Sequence, residues 1–245
     1  MPLVETKNLC KYYDGILALD HLNLTVKPGE LVGLLGPNGA GKTTAIHILL
    51  GLLSPSSGEV SVMGMSPLRE RHKIASKINF SSAYTNLPTN LKVKETLYIY
   101  SQLYSVKDAK EKVKSLLGLF EIDHLQNRVY GALSSGEKTR LNLAKSFLND
   151  PDLLLLDEPT ASLDPEVADR VRTILKGIQK ERNIGILYTS HNMPEVEEMC
   201  HRIVFINKGK TIAQGTADEI KKMFHSNTLD QVFIKIVRGD LISEE

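Results

Sequence analysis

Cysteine is scarce: Cys10 and Cys200 are the only two in 245 residues, and neither stands in a C-x-x-C or other metal-ligand spacing. Two packing thiols in a reducing compartment are therefore expected, rather than a disulfide framework. An excess of one charge is also missing. Thirty Lys and Arg face 29 Asp and Glu, a formal +1, which leaves no electrostatic footprint for nucleic acid. No run approaches the ~18 apolar residues of a membrane span, so any membrane role must pass through a partner. The opening MPLVETKNLC carries Glu5 and lacks the apolar stretch of a signal peptide. Internal repeats and low-complexity tracts are absent too.

What remains is an ordinary globular composition, 42% hydrophobic and 24% charged, long enough for a sizeable core in one or two domains. Alternation in VETKNLC and LNLTV (22–26), followed by Pro28-Gly29, predicts an antiparallel N-terminal layer. ELVGLLG (30–36) reads as a buried strand and TTAIHILLGLL (43–53) as an apolar helix. From about residue 83 to 149 the pattern turns helical. Val93, Leu97, Tyr100 and Tyr104 recur at helical spacing, as do Val113, Leu116, Leu117 and Phe120. Strand signals return at LLLLD, GILYTS (185–190) and RIVFIN (202–207), with helical pattern between them. Strands alternating with helices imply an α/β fold with a largely parallel sheet.

The stretch LLLLDEPTASLD (153–164) combines two opposed tendencies. Four leucines predict a strand buried on both faces, yet Asp157 and Glu158 end it. A buried, unpaired carboxylate costs several kcal/mol or loses its charge. The resolution lies upstream. Gly36-Pro37-Asn38-Gly39-Ala40-Gly41-Lys42-Thr43 fits G-x-x-x-x-G-K-[ST] between a strand and a helix, the context that this phosphate-binding loop requires. Its glycines let backbone N–H groups curl around phosphates, and the helix N-terminus adds partial positive charge. Lys42 would reach the β- and γ-phosphates, and the Thr43 hydroxyl would ligate Mg²⁺. In such a protein a second core strand ends in an acid that holds the metal, which suits Asp157. Glu158, one residue on, suits a general base that polarises the attacking water.

Taken in order, these motifs resemble the nucleotide-binding subunit of an ABC transporter, over nearly the whole chain from about Leu3 to Gly239. GPNGAGKTT, which includes Thr44, is similar to the family's Walker A, and LLLLDE to its Walker B with catalytic glutamate. LSSGEKTRLNLAKSFLNDP resembles its signature segment, SLD (162–164) its D-loop with Asp164, and His191 its switch histidine. The resemblance places Tyr13 on the adenine, with Tyr12 as the fallback. It implies a P-loop NTPase core with an inserted helical subdomain: residues 1–82 and 150–215 for the core, 83–149 for the insert, and 216–245 for a C-terminal helical tail. It implies ATP and Mg²⁺, with Thr43 and Asp157 on the metal. It also implies a head-to-tail dimer with a second copy or a similar ATPase, and a transmembrane permease partner on the cytoplasmic face of a membrane. Ser134, Ser135, Gly136 and Glu137 would then meet the ATP of the other subunit. On local physics alone, S-x-x-E there is the capping box of an apolar-striped helix, which makes a ready phosphate site.

Two departures stand out. The signature reads LSSGE where the family has LSGGQ, and Ala83 falls where the family's Mg²⁺-contacting glutamine belongs. Alanine offers no oxygen, so a water held by Ser81 or Ser82 is expected in its place, with Tyr84 and Asn86 taking over contact with the permease. TLDQVFIKIVRG (228–239), after the capped start at Thr216-Ala217-Asp218-Glu219, resembles the tail of drug and polysaccharide exporter ATPases. Its plain alternative is an amphipathic helix closing the core. The expected function is an ATPase subunit driving a separate exporter permease. The rivals are a soluble ABC-type ATPase in assembly or regulation, a nucleotide-dependent binding module, and a small-molecule kinase.

Overall fold

Leu153, Leu154, Leu155 and Leu156 have no solvent exposure at all, so the leucine run is a core strand with both faces covered. The computed structural model describes residues 1–82, 85–161 and 163–239. By the packing of its Cα atoms the chain divides into two units, Met1–Ile74 with Gly185–Glu245, and Ala75–Ile184.

In the first unit, β1 (Val4–Tyr13) pairs antiparallel with β2 (Ile16–Val26), matching Val4 to Val26 and Tyr13 to Ile16. β4 (Ser57–Val62) pairs antiparallel with the other edge of β1. This is the expected N-terminal layer, in which alternating burial of β2 reflects one solvated face. β3 (Leu31–Leu35) lies between β7 (Gly185–Thr189) and β8 (Arg202–Asn207), parallel to both. All five residues of β3 and of β7 are buried, which is why those segments are continuous apolar runs. β9 (Lys210–Gly215) adds antiparallel to β8. The helices of this unit are α1 (Lys42–Leu49), α2 (Arg71–Ala75, at the boundary), α7 (Met193–Met199), α8 (Ala217–Met223) and α9 (Leu229–Arg238).

The tail helices belong to this unit's core. Ile220, Phe224, Leu229, Val232 and Ile236 cluster with Leu35, Met193, Val196, Ile203 and Phe205. Spacings of three and four residues put Leu229, Val232 and Ile236 on one stripe of α9, facing inward. Thr216 opens α8 with the expected box: its hydroxyl accepts from the Glu219 N–H (3.3 Å), and Glu219 accepts from the Thr216 N–H (2.8 Å).

In the second unit, β5 (Ile78–Ser82) runs parallel to β6 (Leu153–Asp157), with Ser82 opposite Asp157. Around this pair stand α3 (Val93–Leu103), α4 (Ala109–Leu119), α5 (Ser135–Ser146) and α6 (Pro165–Arg182). Val93 and Leu97 of α3 and Val113, Leu116 and Leu117 of α4 are buried, as their helical spacing predicts. Phe120, just beyond α4, meets Phe147, just beyond α5, with ring centroids 5.7 Å apart. Packing groups β6, which pairs in parallel with β5, and α6 with this helical stretch. No described helix is long and apolar enough to cross a membrane.

Candidate nucleotide site

β3 delivers the chain into the loop 36–41, and α1 begins at Lys42 with Gly41 as its N-cap at φ +109°. Two of the loop's glycines are dictated by the protein's own backbone. A Cβ at Gly36 would lie 2.1 Å from the Ile206 carbonyl oxygen, and one at Gly41 would lie 2.6 Å from that of Ala18. Gly39 differs, since an added Cβ would meet nothing within 4 Å; its φ of +79° is what favours glycine. The tip is thus open while the base is clamped against β8 and β2. Gly36→Ala should accordingly cost ~1–3 kcal/mol through overpacking against rigid backbone. A thermal melt should show a Tm several degrees lower, and an unchanged Tm would mean that the loop base is pliable.

Lys42 is buried, and its Nζ donates to the carbonyls of Gly36 (2.6 Å) and Pro37 (3.1 Å), which folds the ammonium back over its own loop. Thr43 and Asn38 are exposed, whereas Pro37 and Thr44 are half-buried and Ala40 is buried. Tyr13 and Tyr12 both stand exposed at the end of β1; the Lys11 Nζ lies 5.3 Å from the centre of the Tyr13 ring. Open glycine tip, buried lysine and exposed hydroxyl fit a polyphosphate with a hard, oxygen-preferring cation.

His191 is exposed two residues after the end of β7. Its turn is held by a buried residue that the sequence reading does not single out. Glu195 is 4% exposed and accepts from the Tyr188 hydroxyl (2.5 Å) and the Ser190 hydroxyl (3.1 Å). The Ser190 oxygen in turn accepts from the Asn192 N–H at 3.1 Å, so both neighbours of His191 are fixed. The available signal was local: Asn192 caps α7 by accepting from the Glu195 N–H, and N-x-x-E is a capping pattern.

In the second unit, Asp157 ends β6 half-buried, and Glu158 follows with φ +52°. A left-handed conformation at a non-glycine costs ~1–3 kcal/mol and is a common mark of functional positions. The capping box at α5 is complete. The Ser134 hydroxyl accepts from the Glu137 N–H (3.2 Å), and the Glu137 carboxylate accepts from the Ser134 N–H (2.7 Å). Arg128 also donates to the Glu137 carboxylate, at 3.2 Å. Burial works to raise the Glu137 carboxyl, but the bonds from Ser134 and the charges of Arg128 and Arg140 outweigh it and hold it below its ordinary range. Ser134 and Ser135 are exposed and Gly136 half-exposed. A Cβ at Gly136 would touch only the Leu163 Cδ2 at 3.5 Å, an ordinary contact. Its own chain does not require this glycine.

Ala83, Tyr84 and Ser162 lie outside the described residues. Asp164 is exposed and N-caps α6 through its backbone. Thr85, just past Ala83, is gripped through its carbonyl by the Asn142 side chain (3.0 Å) and the Tyr130 hydroxyl (3.2 Å).

Parallel strands, a glycine-rich loop opening α1 and a carboxylate ending β6 define a P-loop ATPase. The chain belongs to the ABC transporter family, whose match spans residues 19–161. It is 36% identical over 222 residues to the bacitracin transport ATP-binding protein BcrA of Bacillus licheniformis, covering 90% of this chain and 72% of that protein. It is 38% identical over 219 residues to the Nod factor export ATP-binding protein I of Burkholderia thailandensis, covering 86% and 70%. Among solved structures, an ATP-binding subunit of an ABC transporter superposes with a TM-score of 0.88 at 27% identity, over 96% of this chain and 99% of that one. The protein is an ATP-binding and ATP-hydrolysing subunit of an ABC transporter.

Proposed function

We propose that this subunit drives export through a separate permease at the cytoplasmic face of a membrane. In this reading two cassettes close head to tail over two ATP molecules. The export role of the Nod factor relative supports the outward direction. Gly136 carries the dimer reading: its environment within the chain accepts a side chain, so the glycine that the family resemblance places here is explained in this reading by the partner's ATP approaching it.

In each proposed site Lys42 exchanges its loop carbonyls for the β- and γ-phosphates, and the loop 36–41 with Thr44 wraps the phosphate chain. Tyr13 stacks on the base. Thr43 and Asp157 would hold Mg²⁺, which would supply neutralisation of phosphate charge. Glu158 takes a proton from the attacking water, and the His191 imidazole bonds the γ-phosphate. Ser134, Ser135 and Gly136 approach from the partner cassette, with Asp164 beside them. Glu137 acts as the cap that keeps this helix end in shape. Because paired residues share a sheet face, Ser82 rather than Ser81 is the hydroxyl on Asp157's side, suited to holding the water that replaces the family's glutamine oxygen. The grip on Thr85 suits coupling, since any shift of α5 would be passed to the segment bearing Tyr84 and Asn86.

Copurification tests this reading. The tagged chain should bring down a protein with several membrane spans, and ATP hydrolysis should rise when both are reconstituted. Recovery of the chain without any membrane protein would favour the non-transport alternative. Glu195→Ala should lower kcat more than it weakens ATP binding, because it frees the turn that aims His191. Equal kcat in the variant would leave Glu195 a purely structural residue.

A further inference from the structure

The β1–β2 hairpin contains a cluster that the nucleotide chemistry does not use. Leu9 pairs with Leu22 and Lys11 with Leu19, so Cys10 alone faces both Asp20 and His21. This is a two-against-one bulge, a device that re-aims side chains. In a regular strand Asp20 and His21 would point to opposite faces. Here His21 is left-handed, at φ +55°, and its backbone N–H donates to the Cys10 Sγ at 3.3 Å. The His21 Nδ1 lies 2.6 Å from the Asp20 Oδ1. One ligand atom from each of Cys10, Asp20 and His21 falls within 4.8 Å of the others.

We propose that Cys10, Asp20 and His21 form a binding site for a borderline-soft divalent cation of the zinc class. Sulfur, imidazole nitrogen and carboxylate oxygen are the three donors zinc takes, and a water can supply the fourth tetrahedral position. Donors about 3.3–3.8 Å apart suit the metal–ligand lengths of such a site; the exposed His21 ring would reach that spacing by exchanging its 2.6 Å contact with Asp20 for the metal. Access is open from the His21 side, whose side chain is 68% exposed, against 15% for Asp20. Lys210 sits on the other oxygen, with Nζ 3.2 Å from Oδ2, and leaves Oδ1 to the site. Occupation would brace the hairpin against the phosphate loop. The Asp20 N–H donates to the Gly209 carbonyl, and the Gly209 N–H donates to the Ala40 carbonyl, each at 3.0 Å.

The test uses the full chain, stripped with a chelator and free of nucleotide. Added Co²⁺ should bind one equivalent and give a thiolate-to-metal charge-transfer band, which Zn²⁺ then bleaches. Zn²⁺ should also raise Tm, because a ligand of the folded state stabilises it. Cys10→Ser should lose the band and the Tm shift, while Cys200→Ser keeps both. His21→Ala changes an exposed side chain, so the fold is not at risk, and should weaken Co²⁺ binding by more than the ~10-fold typical of losing an outer-shell partner. The proposal is overturned by a wild-type chain without the band, by a band that survives Cys10→Ser, or by equal affinity in His21→Ala. Any of these would leave a plain Lys–Asp–His surface network.

Discussion

Glu158→Gln lowers ATP turnover by roughly 10²–10⁴-fold, the range expected for loss of a general base, while ATP binding persists. The substitution keeps size and much of the hydrogen-bonding capacity and removes the negative charge, and with it the ability to take a proton. Its backbone cost is nil, because glutamine has the same Cβ and meets the same strain at φ +52°. A melt should therefore match wild type, which separates a chemical effect from misfolding. Loss of one negative charge beside the γ-phosphate also favours the closed dimer, so a larger ATP-dependent species should accumulate in light scattering or size-exclusion chromatography. Slow hydrolysis together with that assembly is the expected result. Wild-type turnover in the variant would remove Glu158 from the mechanism. A companion variant sharpens the reading: Glu158→Gly relieves the left-handed strain, so it should be no less stable than wild type yet equally slow.

The second large effect is a recovery. Lys42→Ala chains lack the phosphate-loop cation, and Gly136→Asp chains place a carboxylate where the partner's γ-phosphate would approach. Each alone should be nearly inactive. Mixed, they form a dimer with one site built from an intact loop and an intact signature helix, and hydrolysis should return. Folding of Gly136→Asp is not in question. The position has room for a side chain, and an acid in the first turn of α5 is favoured by the helix dipole, by ~0.3–1 kcal/mol. Demonstrated mixing without recovery would show that catalysis is completed within one chain.

Much of the candidate site is legible in the sequence because its parts are contiguous. Eight residues from Gly36 to Thr43 carry their own turn, cap and cation, and Ser134 to Glu137 carry a complete capping box. Leu153–Leu156 announce a strand buried on both faces because no polar residue interrupts them. Such signals reside in neighbouring backbone and need no distant partner to be read. The reading of α9 is of the same kind: its stripe is periodic, and the sequence leaves open only which core it closes.

What the sequence by itself determined is therefore the kind of protein: local spacing fixed a phosphate-binding loop, strand-end acids and a capped helix, and the order of those motifs carried the resemblance to an ABC-type ATPase. The tertiary structure alone decided which residues support those parts. Strand register sets Ser82, not Ser81, opposite Asp157. Packing buried Glu195 beneath the His191 turn, where two hydroxyls compensate its desolvation. A bulge in one hairpin turned two adjacent side chains toward Cys10, which spacing had given no partner. The reason is common to all three. Register, burial and bulges depend on which strand lies alongside, and pairing between segments distant in the chain is set by the energy of the whole core rather than by any short stretch of it.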